Sequence, residues 1–230
     1  MKSVNLLDQK GPQGYLFLMN LDGLLTNSLF AHYTSWQEQL KEINIDLNQT
    51  QFYKLQGLRD AEFLNHLLKS SKISLPISDR DEIIIKKNQK YLHNIRYLNE
   101  DDLLPGVRNF LVGAKRIQIP IVIISENVNA HFVIEQTGLK PMIQLVMDGN
   151  HASPPKPDPS IYLTVAERFK YPVKQCIVFE NSQLGLEAAI RAKMKIVCIG
   201  DFEKFQDADQ VFPDFKRIKA FEVINWFRIM

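Results

Sequence analysis

The chain has 230 residues and a formal net charge of +2, so no strongly basic surface is predicted, and neither nucleic acid nor an anionic membrane is an expected partner. Its hydrophobic fraction of 45% and charged fraction of 23% are typical of globular proteins, and its length suffices for one large core or for a core with a small accessory domain. No apolar run reaches the roughly 18 residues that a membrane-spanning helix requires.

Two cysteines, Cys176 and Cys198, lie within apolar runs, and neither has a spaced cysteine or histidine partner. This pattern favours buried thiols over a disulfide or a zinc site. The first residues lack the long apolar stretch of a signal peptide. We therefore expect a reducing, cytoplasmic location.

Residues 1–13 are polar and are predicted to form a flexible leader. Five short apolar runs, typical of buried parallel strands, follow: residues 15–19, the residues around Ile121, those around Leu145, those from Cys176 and those from Lys195. Helical patterns separate the runs: Val107, Phe110, Leu111 and Ala114 form one apolar face, and Ile161, Val165 and Phe169 form another. Asp158 and Pro159 are a start signal for the second helix. The alternation predicts an α/β protein with a doubly wound, Rossmann-like parallel sheet.

One segment, residues 28–98, interrupts that alternation because it shows only helical periodicity. Its apolar stripes are Leu29, Tyr33, Trp36, Leu40 and Ile43, then Phe63, Leu64, Leu67 and Leu68, then Ile84, Tyr91, Ile95 and Leu98. The lysines at 86, 87 and 90 are interpreted as a solvated helix face. We predict an all-helical cap at 28–98, inserted into a discontinuous core of residues 14–27 and 99–230.

Four motifs occur in a fixed order along the chain. They are FLMNLDGLLTNS at 17–28, Ser125 after the second strand of the core, Lys156 in KPDPSIY, and FENSQLGLEAA at 179–189. Together they resemble the signature motifs of the haloacid dehalogenase-like (HAD) superfamily. The segments HYTSWQEQL and LQGLRDAEFLNHLL resemble the helical cap of its β-phosphoglucomutase and phosphoglycolate phosphatase branch.

The resemblance implies roles for particular positions. Position 20 would hold a nucleophilic aspartate, and Asp22 would be the acid and base catalyst. Ser125, Lys156 and the turn at Gly23 would bind phosphate. Four carboxylates, two from the first motif and two from the fourth, would hold Mg²⁺, which prefers anionic oxygen ligands.

This sequence departs from the pattern at two of those four positions, since Asn20 and Asn181 stand where carboxylates are expected and only Asp22 and Glu180 remain. An amide cannot attack phosphorus, and Mg²⁺ affinity should fall. Glu126 adds negative charge where a phosphate would lie. We expect a HAD-like protein with catalysis lost or severely weakened, which retains binding of a phosphorylated metabolite or a protein partner. The alternatives are an active Mg²⁺-dependent phosphatase or phosphomutase, and a protein-interaction module with a vestigial cleft.

Three cap residues are candidates for substrate recognition: His32, Gln56 and Arg59. His32 matches a cap-hinge position of the branch, but the Gly-x-x-Arg motif is out of step by one residue at Arg59. Structural roles are the alternative for most candidates, because Asp-Gly marks turns, a strand-end serine can cap a helix, and Lys156 and Glu180 could be ordinary solvated side chains.

Overall fold

A computed structural model describes residues 13–151 and 153–229. Its centre is one sheet of six parallel strands in the order β3-β2-β1-β4-β5-β6. The strands are β1 (Leu16–Met19), β2 (Ile121–Ile124), β3 (Leu145–Met147), β4 (Cys176–Glu180), β5 (Lys195–Ile199) and β6 (Gln210–Phe212). The register pairs Phe17 of β1 with Ile121 of β2 and with Ile177 of β4, so β1 lies in the middle.

Helices cover both faces of this sheet. They are α5 (Val107–Arg116), α6 (Ala130–Gln136), α7 (Ser160–Arg168), α8 (Gln183–Arg191) and α9 (Ala220–Ile229). Alternate strand residues point to opposite faces: Phe17 and Met19 pack with α5, α6 and α9, whereas Leu16 and Leu18 pack with α7 and α8. The predicted doubly wound α/β core is confirmed.

Four helices form the cap between β1 and α5: α1 (Leu29–Lys41), α2 (Gln49–Lys54), α3 (Asp60–Ser70) and α4 (Ile77–Ile95). They share a separate hydrophobic cluster that includes Trp36, Phe52 and Phe63. The end of α4 leaves that cluster, since Tyr91 and Ile95 pack with the sheet. The boundaries at 28 and 98 stay a prediction.

Some elements differ from the sequence-based expectations. Strand β6 was not predicted because it is a three-residue edge strand of half-buried side chains, and α2 was not predicted because it spans six residues. Helix α7 begins at Ser160, one residue later than expected, although the Asp158 carboxylate accepts a hydrogen bond from the Ser160 N–H at 2.8 Å.

The lysine prediction is wrong for Lys87, which is fully buried, whereas Lys86 is exposed. Both cysteines are buried and unpaired, as predicted. Within the described ranges, no helix is long and apolar enough to cross a membrane. Residues 1–12, which make up nearly all of the predicted leader, lie outside the described residues.

Candidate functional site

The carboxyl ends of the three central strands meet at one edge of the sheet, beneath the cap. Asn20 follows β1, Ser125 follows β2, and Asn181 follows β4. Open α/β sheets bind ligands at this edge. A cleft of about 70 Å³ lies there, and the predicted site residues that line it are Asn20, Asp22, His32, Gln56, Ser125 and Lys156.

A chain of amide hydrogen bonds joins the two asparagines. Asn20 Nδ2 donates to Asn181 Oδ1 at 2.8 Å, and Asn181 Nδ2 donates to the Asp22 carbonyl oxygen at 3.2 Å. Gly23 makes room for this contact, because a Cβ there would lie 2.9 Å from Asn181 Nδ2 and because its φ of +72° disfavours other residues. The amides therefore hold the strand ends together by hydrogen bonds, without charge.

The carboxylate of Asp22 is buried and accepts hydrogen bonds from four side chains. Ser28 Oγ donates at 2.6 Å and Tyr91 Oη at 3.2 Å to Oδ1. Ser125 Oγ donates at 3.2 Å to Oδ2, and Asn127 Nδ2 lies within 3.3 Å of both oxygens. Protein hydrogen-bond donors therefore replace water around the Asp22 carboxylate.

Opposing effects determine the pKa of Asp22. Burial raises the pKa of Asp22, but the nearby His32 imidazole, at 3.6 Å, and the hydrogen bonds from Ser28 and Asn127 lower it to about 2. The group is consequently ionised at neutral pH. In this arrangement it can accept a proton but holds none to donate to a leaving oxygen.

Lys156 and Glu180 form a buried ion pair at the floor of the site. Lys156 Nζ lies 2.6 Å from Glu180 Oε1, and both side chains are almost entirely inaccessible to solvent. Tyr162 Oη also donates to Oε1 at 2.9 Å, and Ser182 Oγ donates to Oε2 at 2.9 Å. Gly185 of α8 leaves the space for this carboxylate, which a Cβ at that position would overlap.

His32 of α1 belongs to a second polar group, on the cap side. Its ring stacks on Tyr91 at a centroid distance of 3.8 Å, and its Nδ1 lies 3.2 Å from Lys87 Nζ. Lys87 Nζ also donates to Asp60 Oδ1 at 2.6 Å. Burial lowers the pKa of His32, and the Lys87 charge lowers it further, whereas Asp22 and Asp60 oppose this shift. The imidazole is neutral in this environment.

The other two cap candidates differ in exposure and contacts. Gln56 is buried, and its Nε2 has no hydrogen-bond partner. Arg59 spans from the cap to the core: its Nε lies 2.6 Å from Glu126 Oε2, and its Nη1 donates to the Ser153 carbonyl at 2.7 Å. Glu126 is thus neutralised by the cap, which the sequence did not predict.

The residues do not fit a magnesium ion of the kind that the resemblance implies. Asn20 and Asn181 bind each other, Glu180 is held by Lys156, and the Asp22 carboxylate is already saturated with donors. Among the described residues, no group of three or more histidine, cysteine, aspartate or glutamate side chains is arranged to hold a metal. The predicted weak Mg²⁺ binding therefore has a structural reason but stays a prediction.

Sequence reasoning identified the candidate site residues and missed most of the side chains that contact them. The missed side chains are Ser28, Lys87, Tyr91, Asn127, Tyr162 and Ser182. Lys87 carried a usable signal, since it lies four residues from both Ile83 and Tyr91 and so falls on the apolar stripe of α4. The other partners follow no local pattern that indicates such contacts.

Comparisons with known proteins identify the family of this chain. A family model described as haloacid dehalogenase-like hydrolase matches residues 17–199. The chain is 26% identical over 196 residues to the β-phosphoglucomutase of Bacillus subtilis. The match covers 84% of this chain and 87% of that protein. The chain is also 23% identical over 174 residues to the phosphorylated carbohydrates phosphatase of Thermotoga maritima. This match covers 75% of this chain and 78% of that protein.

Among solved structures, a β-phosphoglucomutase from Clostridium difficile superposes with a TM-score of 0.87 at 25% identity, over 94% of this chain and 99% of that chain. The family model extends over both the cap helices and the strands whose carboxyl ends form the cleft. The chain therefore belongs to the haloacid dehalogenase-like hydrolase family.

Proposed function

We propose that this family member no longer transfers phosphoryl groups and that its cleft persists as a binding site for a small molecule. The observation that carries the proposal is the amide pair between Asn20 and Asn181 at 2.8 Å, at the two strand ends where the family's chemistry takes place. In the pair, Asn20 occupies the position of the family's nucleophile and Asn181 the position of an expected metal ligand.

The first consequence concerns the nucleophile. The lone pairs of a carboxamide oxygen carry no full negative charge, so Asn20 cannot form an acyl phosphate. Loss of a covalent nucleophile reduces turnover by a factor on the order of 10³–10⁶. Asp22 does not compensate, because a carboxylate with a pKa of about 2 and four hydrogen-bond donors is a poor nucleophile and holds no proton to donate.

A second candidate is an active Mg²⁺-dependent phosphatase or phosphomutase that acts on a small phosphorylated metabolite. The names of the relatives favour it, since they include a β-phosphoglucomutase and a phosphorylated carbohydrates phosphatase. The positions of Ser125 and Lys156 at the cleft also favour it. The third hypothesis, a protein-interaction module, stays a prediction because none of the contacts described above bears on it.

Restoring the carboxylates tests the proposal. The purified chain should give no turnover of p-nitrophenyl phosphate with Mg²⁺ and no Mg²⁺ uptake in calorimetry. The double variant Asn20→Asp, Asn181→Asp should bind Mg²⁺, because two anionic oxygens then replace two amides. Activity in the double variant but not in the parent would assign the loss to these two positions.

A charge-matched control is the double variant Asn109→Asp, Asn225→Asp, since both asparagines are exposed and lie on α5 and α9, away from the cleft. It should behave as the parent in both assays. Robust turnover by the mass-verified parent chain would overturn the proposal and favour the second candidate.

A further inference from the structure

The charges around the cleft are balanced within the protein. Among the described residues that line the cleft or contact its lining, three cationic side chains each lie 2.6 Å from a carboxylate: Lys156 from Glu180, Lys87 from Asp60 and Arg59 from Glu126. Asp22 is a fourth carboxylate, and burial together with the Lys87 charge favours the neutral form of its neighbour His32. Three cations against four carboxylates leave an excess of one negative charge, which opposes entry of a phosphate ester.

Two hydrogen-bond donors at the same cleft have no acceptor. An ammonium group only donates, so His32 Nδ1 accepts from Lys87 Nζ and the ring proton resides on Nε2. That Nε2 lies 3.6 Å from Asp22 Oδ1, which is too long for a hydrogen bond, and it has no other partner. Gln56 Nε2 is also unpartnered, and the two residues are only 9% and 8% exposed.

The remaining wall of the cleft is apolar and comes from the cap. It comprises Leu29, Trp36, Phe52, Leu55, Leu58 and Phe63. The volume of about 70 Å³ is about half of the roughly 150 Å³ in which a protein cavity binds benzene. In this closed arrangement the cleft therefore accommodates about three or four heavy atoms beside its polar edge.

We infer that the cleft binds an uncharged molecule of about three or four heavy atoms, with hydroxyl or carbonyl oxygens that accept hydrogen bonds from Gln56 Nε2 and His32 Nε2. Buried donors without acceptors are unfavourable, so a ligand that supplies oxygens relieves both. This inference rests on the proposed function, because an active phosphatase must admit a phosphate ester to the same cleft.

The experiment compares ethylene glycol, which has four heavy atoms, with ethylene glycol monophosphate and orthophosphate, each titrated into the full chain labelled with ¹⁵N and followed through the side-chain amide resonance of Gln56. Ethylene glycol should produce a saturable shift, and its monophosphate should bind at least about tenfold more weakly because of the unneutralised charge. Absence of a saturable shift with ethylene glycol, or tighter binding of either phosphate compound, would overturn the inference.

Two variants assign the site. Gln56→Leu removes the unpartnered amide at nearly constant volume and should weaken ethylene glycol binding about tenfold, as followed on neighbouring backbone amides. Gln89→Leu on the exposed face of α4 should leave the affinity unchanged. Equal affinities for the two variants would contradict the assignment.

Preference for phosphate esters without turnover overturns only this inference, whereas turnover with Mg²⁺ overturns the proposed function itself.

Discussion

Side chains at the carboxyl edge of the sheet are held by a neutral amide pair, by hydrogen bonds and by one buried ion pair. Asn20 and Asn181 form a neutral pair where two carboxylates would require a cation between them. The buried anions Asp22 and Glu180 are each compensated within the protein, one by hydrogen bonds and the other by Lys156. Such networks are stable only when every member is satisfied, so small changes in their packing should have large effects.

Gly185 provides a test of that packing. A methyl group there would overlap the Glu180 carboxylate and disturb its pair with Lys156, so Gly185→Ala should lower the free energy of unfolding by about 1–3 kcal/mol. Gly113→Ala in α5 is the matched control, since a Cβ there contacts nothing within 4 Å. It should raise stability by about 0.5–1 kcal/mol. Urea denaturation measures both, and equal shifts would contradict the packing argument.

The lowered pKa of His32 predicts a pH dependence of stability. Its folded pKa lies below the ordinary value of 6.5, so the unfolded chain binds a proton that the folded chain resists. The contribution of neutral His32 to the free energy of unfolding is fully present above pH 6.5 and is lost as the pH falls below that value. Urea denaturation between pH 8 and pH 5 should therefore show a steeper loss of stability for the parent than for His32→Asn. His93→Asn, at an exposed position, should retain the parent's slope.

Among the secondary-structure elements, α4 joins the two parts of the molecule. Its buried face carries Ile83, Lys87, Tyr91 and Ile95, so one stripe begins in the cap cluster, passes a buried ion pair and ends against the sheet. Lys87 Nζ lies 5.1 Å from the Trp36 ring centroid and 5.5 Å from that of Tyr91, which adds cation–π stabilisation to its pair with Asp60. A charged residue thus acts as a core residue of the helix.

Adjacent lysines on α4 allow a controlled comparison. Lys87→Met leaves the Asp60 carboxylate without its cation and should cost about 3 kcal/mol, near the lower end for a broken buried pair because Asp60 is partly exposed. Lys86→Met removes only an exposed pair with Glu82 and should change stability by less than about 0.5 kcal/mol. Chemical denaturation of both variants decides the point, and similar losses would show that Lys87 is not a core residue.

In the whole molecule, the cap closes on the core through Arg59. Its guanidinium contacts Glu126 and Ser153, which belong to two different core loops, and the resulting ion pair is largely shielded from solvent. Neither core residue lies near Arg59 in the sequence. The contact therefore forms only when the cap lies against the core, and it stabilises the closed cleft.

Removing that contact should favour an open cap. Arg59→Met is expected to shift the equilibrium towards opening by about 2 kcal/mol, the scale of a charged hydrogen bond. In a Trp226→Phe background the remaining tryptophan is Trp36, which lines the cleft, so acrylamide quenching should increase. Arg80→Met is the control because Arg80 bonds only within the cap, to Leu75 and Asn65. Unchanged quenching for Arg59→Met would refute the role of this contact.

The sequence by itself determined the fold class and the positions of the strand-end residues, because hydrophobic periodicity and motif order are local properties of the chain. It also determined that position 20 carries an uncharged amide, since this depends on residue type alone. The tertiary structure decided the pairing of Asn20 with Asn181, which are 161 positions apart, the saturation of Asp22 and the neutralisation of Glu126 by Arg59. These contacts depend on which distant side chains fold to the same edge of the sheet, and no spacing along the chain encodes that.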